Sequence, residues 1–182
     1  SIRRRQRQMC IRDRLYMIIK AGDGSVRDSL SILDQANIFK INQIIEDHDI
    51  VNMLGFARRS DIYDLALNVI NNQLNNILTI LKDMYERGTE TSKVIEELMG
   101  VINWSLKIKI NSELLNDNFL SEEDKNFATS VDNVDEGQLN IFWQSLMKGY
   151  EEIKISPNPH LTLEMVLLLS LIHISEPTRL GF

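Results

Sequence analysis

Cysteine is nearly absent: the chain of 182 residues has one, Cys10, set in an arginine-rich head unlike anything that follows. No disulfide framework can brace the fold, which fits a reducing compartment. Histidine is almost as scarce, and His48, His160 and His173 stand far apart with no cysteine or carboxylate at ligand spacing, which argues against a metal site. No apolar run reaches the ~18 residues that span a bilayer; the most hydrophobic segment, Leu161 to Ile174, has the length of a buried helix. Also missing are a G-x-x-x-x-G-K-[ST] phosphate loop, an acidic strand motif for magnesium, a zinc-module set of cysteines and an arginine finger. Phosphoryl transfer needs the phosphate cradle and the metal. The chain is therefore not expected to hydrolyse a nucleotide alone, and no catalytic residue is assigned.

The two ends differ from the interior. Residues 1–14, SIRRRQRQMCIRDR, hold six arginines without apolar periodicity, and residues 170–182, ending LIHISEPTRLGF, are equally foreign to what precedes them. Both look like translated sequencing-adapter sequence and are set aside; a basic nucleic-acid-binding arm is the rival for the head and a flexible terminus for the tail. The whole chain carries a net charge of −6; with the head's six arginines and one aspartate removed, and a neutral tail, the interior stands at −11. So acidic a body cannot neutralise DNA phosphates, and direct DNA binding is not expected of it. Its richness in isoleucine, asparagine and lysine reads as AT-rich coding sequence.

The rest is organised around Ala21 to Ala36, AGDGSVRDSLSILDQA. Gly22 and Gly24 precede Ser25, and Ser25 stands three residues ahead of Asp28, the spacing of a capped helix start. Val26, Leu30, Leu33 and Asn37 then fall on one face, with Ile32 and Ala36 beside them, so an amphipathic helix is expected over roughly 25–38. Arg27 is the unusual residue. A cation in the first turn opposes the helix macrodipole. It either pairs locally with Asp23 or Asp28, or meets an anion that the glycines allow to approach.

GSVRDSLSILDQA resembles the sensor-2 segment of the bacterial DNA polymerase III gamma/tau family, the clamp-loader AAA+ ATPases, with the pattern G-S-x-R-D-[AS]-L-S-x-x-D-Q-A. Gly24, Ser25, Arg27, Asp28, Leu30, Ser31, Asp34, Gln35 and Ala36 match it. The resemblance implies that Arg27 reaches the terminal phosphate of ATP held by a preceding domain, with Gly24 and Ser25 beside it. On that basis residues 15–56 are expected to be the rear part of an AAA+ lid, a three-helix bundle entered at LYMIIK and closed by a segment over 43–54 ending IVNMLG.

Past Arg58-Arg59-Ser60-Asp61 the spacing predicts two short helices. Ile62, Leu65, Ala66 and Val69 mark the first; Leu74, Ile77, Leu78, Leu81 and Tyr85 mark the second, stopped by Gly88. An antiparallel pair follows, since the positions a tetratricopeptide repeat requires are missing. Thr91 to Ile110 carries the stripe Val94, Ile95, Leu98, Met99, Ile102, but its end, Trp104 to Ile110, alternates like a strand; helix is expected throughout because no partner strand is at hand. NSELLNDNFLSEED reads as a loop, Ser121 with Asp124 as a short capped helix broken by VDNVDEG. Gln138 to Tyr150 is a clean amphipathic helix through Leu139, Phe142, Trp143, Leu146, Met147 and Tyr150. Pro157-Asn158-Pro159 turns the chain into a last helix over His160 to Leu169. Trp104 reads as a core aromatic; Phe142 and Trp143 belong to the core or to a subunit interface.

LNIFWQSLMKGYEEIKISPNPHLTLEMVLL is similar to the last two helices of the same family's collar domain, with its aromatic-Q-x-L-x-x-G-x-x-[ED]-[IL] stretch, proline turn and L-E-M-x-L-L ending. One departure stands at the end, where Leu169-Ser170 replaces the family's basic residue and its neighbour. The fold class expected is all-α: a partial lid bundle followed by a helical collar over 58–169. The resemblance implies ATP with magnesium bound in an upstream core rather than by this piece, and a place in the bacterial cytoplasm. As partners it implies other gamma/tau copies, delta and delta prime through the collar, and the sliding clamp and primed DNA through the complex. A stand-alone acidic helical interaction domain with no nucleotide role is the alternative from another class. A related clamp-loader subunit such as delta prime ranks below both.

Overall fold

The computed structural model describes residues 15, 18, 19, 21, 22, 25–39, 53, 54, 57–116 and 120–175. Two compact units divide the chain between Phe56 and Ala57. Among the described residues every regular element is helical and no strand occurs.

In the first unit Leu15, Ile18, Ile19 and Ala21 are helical and helix α1 spans Val26–Phe39. Its inward side is not the expected one. Ser29, Ile32, Leu33 and Ala36 turn inward, with Ile18 and Ala36 buried, whereas Val26 is 75% exposed and Leu30 56% exposed. Spacing finds a periodic stripe but cannot choose between adjacent 100° sectors when small residues share the buried one. Of the expected segment over 43–54, only Met53 and Leu54 are described, and both are helical; the rest lies outside the described residues.

The second unit holds α2 Arg59–Ile70, α3 Leu74–Glu86, α4 Thr91–Ile110, a 3₁₀ turn Ser112–Asn116, α5 Glu122–Val131, α6 Glu136–Ile155 and α7 Pro159–Ser175. The stripes of α2 (Ile62, Leu65, Ala66, Val69) and of α3 (Ile77, Leu81, Met84) meet in one core with Val94, Ile95, Leu98 and Ile102 of α4. α2 and α3 end alike. The amide of Gln73 donates to the carbonyl of Asn68 and that of Asn72 to Val69; the amide of Thr89 donates to Met84 and that of Gly88 to Tyr85. Both are left-handed caps closed by a six-residue and a four-residue bond, with Asn72 at φ 60° and Gly88 at φ 78°. The antiparallel pair follows from that first cap.

α4 stays helical to Ile110, and the strand-like alternation of its end resolves physically. Ser105 is fully buried and its hydroxyl donates to the carbonyl of Val101 at 2.9 Å, while Ile110 is 83% exposed. The apolar residues of 104–110 thus spread around the helix and do not share one side. α5 opens with a reciprocal cap: the amide of Asp124 donates to Ser121 Oγ and the amide of Ser121 to Asp124 Oδ2. The stretch expected to be all loop begins with the 3₁₀ turn.

α6 and α7 are both longer than their sequence patterns indicate. α6 starts at Glu136, where Asp135 accepts the amide of Gln138, and runs to Ile155. α7 continues six residues past Leu169, because Ser170, Leu171 and Ile174 extend the inward register of Leu163, Val166 and Leu167. The two helices lie antiparallel: the Gln138 side-chain amide donates to the carbonyl of Ile174, and Gly149 abuts Val166. A Cβ on Gly149 would stand 2.5 and 2.6 Å from the two Val166 methyls, so the bare backbone is what lets α6 and α7 approach. Phe142 is fully buried and Trp143 packs half-buried against the core, as does Trp104, which faces Phe127 at 6.3 Å. The core reading of these aromatics holds.

Candidate functional site

The start of α1 is built by four local hydrogen bonds. The amide of Gly22 donates to the carbonyl of Ile18 at 3.0 Å, closing the preceding helical turn. The amide of Ser25 then donates to the carbonyl of Gly22 at 2.8 Å, which folds the chain back in three residues. Finally Ser25 Oγ accepts the amide of Asp28 at 3.3 Å and its carbonyl accepts the amide of Ser29 at 2.9 Å. Ser25 is thus an N-cap, as its spacing indicates. Gly24 lies outside the described residues.

This arrangement fixes where Arg27 points. It occupies the second helical position on the outward side, with Leu30, Asp34 and Ile38 further along the same face, and it is exposed. Among the described residues no carboxylate pairs with it, Asp28 included; Asp23 lies outside them. An exposed cation at the positive end of the macrodipole is suited to receiving an anion. Gly22 plays a part the sequence does not reveal. It is buried, and a Cβ there would overlap Ser29 Oγ and stand 2.8 Å from the Ser29 amide nitrogen. The close approach it permits is that of α1 itself.

A second charged cluster belongs to the other unit. Tyr63 donates its hydroxyl to Asp124 Oδ1 at 2.6 Å, and Arg59 Nε reaches both the Tyr63 hydroxyl and Asp124 Oδ1 at 2.8 Å. Tyr63 stacks on Phe127 at 4.2 Å. Burial alone would raise the Asp124 carboxyl, but the hydrogen bonds from Tyr63 and Ser121 and the charge of Arg59 outweigh it and hold it below its usual range. Burial pushes the Tyr63 hydroxyl up, well away from ionisation at neutral pH. The buried oxygens of Asp124 and Tyr63 are satisfied within the cluster, which makes it a tie between α2 and α5 rather than a reactive centre. Among the described residues no group of histidine, cysteine or carboxylate side chains could hold a metal, and no helix is long and apolar enough to cross a membrane.

Two family models match the chain in series. Residues 12–39 match the ATPase lid domain of the DNA polymerase III clamp loader subunit. Residues 45–180, three quarters of the chain, match domain III of DNA polymerase III subunits gamma and tau. The chain belongs to the gamma and tau family of DNA polymerase III. Its all-helical second unit is the form that this clamp-loader domain takes here, and the alternative of a stand-alone interaction domain is not favoured. Relatives in that family include the tau subunit of Salmonella typhimurium, 24% identical over 157 residues, which cover 86% of this chain and 24% of that one. The gamma subunit of Buchnera aphidicola subsp. Schizaphis graminum is 22% identical over 162 residues, covering 89% of this chain and 44% of its own. The tau subunit of Bacillus subtilis is 25% identical over 154 residues, 85% and 27% of the two chains. The chain thus spans between a quarter and under half of the length of these gamma/tau relatives.

Proposed function

We propose that this chain is the lid-and-collar portion of a clamp-loader ATPase subunit, in which Arg27 reads the terminal phosphate of ATP held by a core outside this sequence. The observation that carries the proposal is the serial match, lid then domain III, with Arg27 on the capped start of α1 inside the first of the two. Arg27 is a fixed charge on a short helical lever, so a phosphate that appears and disappears with hydrolysis attracts and releases the lid. Ser25 supports the site as the cap that holds the first turn, and Gly24 allows the phosphate close. The nucleotide is ATP with magnesium; the metal neutralises the triphosphate in the core, and no residue here is assigned to it.

The lid occupies 15–56 and the collar 58–169. The collar joins gamma/tau copies to the delta and delta prime subunits in a ring that opens the sliding clamp on primed DNA, in the bacterial cytoplasm. Its acidic body, −11 over the interior, leaves the DNA contacts to other parts of that assembly.

Arg27→Ala in an intact subunit tests this. Assembly is expected to survive, because the collar does not depend on Arg27, while ATP-dependent clamp loading falls roughly ten- to a hundredfold, the scale of one charged contact to a phosphate. Loading by that variant at the unmodified rate would refute the sensor role.

A further inference from the structure

We propose that Gly22 and Ser29 form a size-matched contact that sets the position of Arg27, making Gly22 a positioning residue of the nucleotide site. The inference rests on the reading of Arg27 given above and names what aims it. Gly22 ends the helical turn before α1 and is buried, with its amide committed to Ile18 and its carbonyl to Ser25. Ser29 lies one turn into α1 on the inward side, two residues from Arg27. A Cβ added at Gly22 would overlap Ser29 Oγ, stand 2.8 Å from the Ser29 nitrogen and 3.1 Å from its Cα. Only the first of these is the end of a side chain. The other two are the α1 backbone, and a backbone yields by moving as a body.

The geometry of α1 converts that movement into a displacement of Arg27. Ser29 and Arg27 belong to the first helical turns, held together by the bonds that Ser25 makes to the amides of Asp28 and Ser29. Pushing Ser29 away from Gly22 therefore pushes the whole capped start, with the guanidinium on its far side. A contact to a phosphate tolerates little of this, since misplacement by about 1 Å can cost up to a hundredfold. The contact is specific in size: a hydrogen at the Gly22 turn faces the backbone and the hydroxyl of Ser29.

The test uses four variants of the intact subunit, Gly22→Ala, Gly22→Ala with Ser29→Ala, Arg27→Ala, and Gly22→Ala with Arg27→Ala, read as the ATP concentration giving half-maximal clamp loading. Gly22→Ala is expected to raise that concentration roughly three- to tenfold with subunit assembly unchanged, and removal of the Ser29 hydroxyl to recover only the part due to Oγ, because the added Cβ still meets the Ser29 nitrogen and Cα. In the Arg27→Ala background Gly22→Ala should add nothing, because its effect passes through Arg27. A further loss in that background would mean that Gly22 merely stabilises the lid, and it would overturn the inference. Gly22→Ala indistinguishable from the unmodified subunit, beside an impaired Arg27→Ala, would overturn it too and leave the reading of Arg27 standing. If Arg27→Ala itself loads normally, the reading of Arg27 falls and takes this inference with it.

Discussion

Asp124 shows how much one side chain can be asked to do. It is 4% exposed, accepts the amide of Ser121 as half of a reciprocal cap, and receives the Tyr63 hydroxyl and the Arg59 guanidinium from another helix. The cap half of this role is visible in the spacing of Ser121 and Asp124, because capping is local. The tie to Tyr63, 61 residues away, is not, because nothing in a lone sequence says which distant hydroxyl arrives. Its depressed carboxyl makes the sign of the pH dependence definite. Stability contributed by the ionised form is present above the unfolded-state value near ~3.9 and is lost as pH falls through the lower folded value. Asp124→Asn is therefore expected to cost about 1–2 kcal/mol at pH 7, the scale of weakened hydrogen bonds at a buried oxygen, since the mostly exposed Arg59 is left in water and not as a buried charge. Urea denaturation of the variant should also show a flatter loss of stability between neutral and acid pH than the unmodified chain.

Helices carry different amounts of their fate in sequence. Those of α2 and α3 are legible as elements, and the α2 stripe Ile62, Leu65, Ala66 and Val69 is buried as expected; in α3 Ile77 and Leu81 are buried, but Leu74 and Leu78 of the expected stripe are exposed and Met84, which spacing does not single out, takes the inward place. α4 is legible as a helix only against its own last turn, where alternation of apolar residues imitates a strand until Ser105 is seen to be inside. α1 is legible as a helix but not as to its inward side, since Ser29 and Ala36 offer little hydrophobic signal. α6 and α7 are legible as separate segments, yet their closeness is not: Gly149 gives no hint that Val166 lies against it. Gly149→Ala is expected to destabilise the chain by about 1–2 kcal/mol, since overpacking against both Val166 methyls outweighs the helix-propensity gain. Thermal unfolding should show a lowered midpoint. Combining it with Val166→Ala should cost less than the sum of the two single changes, the signature of a direct contact.

The molecule as a whole divides where its chemistry divides. Phosphate sensing is proposed for the unit before Ala57, and the large continuous core lies after it. Family membership was legible from two sequence stretches, one in each unit, whose motif residues have structural roles here: Ser25 caps α1, and Gly149 lets α6 approach Val166. Partners leave no comparable mark: Leu161, Met165, Leu169 and Ile172 stand exposed along α7, and nothing in their spacing states what would cover them. The core of the second unit is closed among α2 to α7, so residues 57–182 expressed alone are expected to retain cooperative unfolding with helical content undiminished. Circular dichroism on that piece checks this, and a broad, non-cooperative melt would show that the core depends on what precedes it.

Both tryptophans of the chain, Trp104 and Trp143, sit half-buried against the core of the second unit, and the first unit has none. Within this sequence, fluorescence excited in the indole band therefore arises from the second unit alone. A change in the emission of these two indoles would be a direct optical record of a rearrangement at the edge of that core.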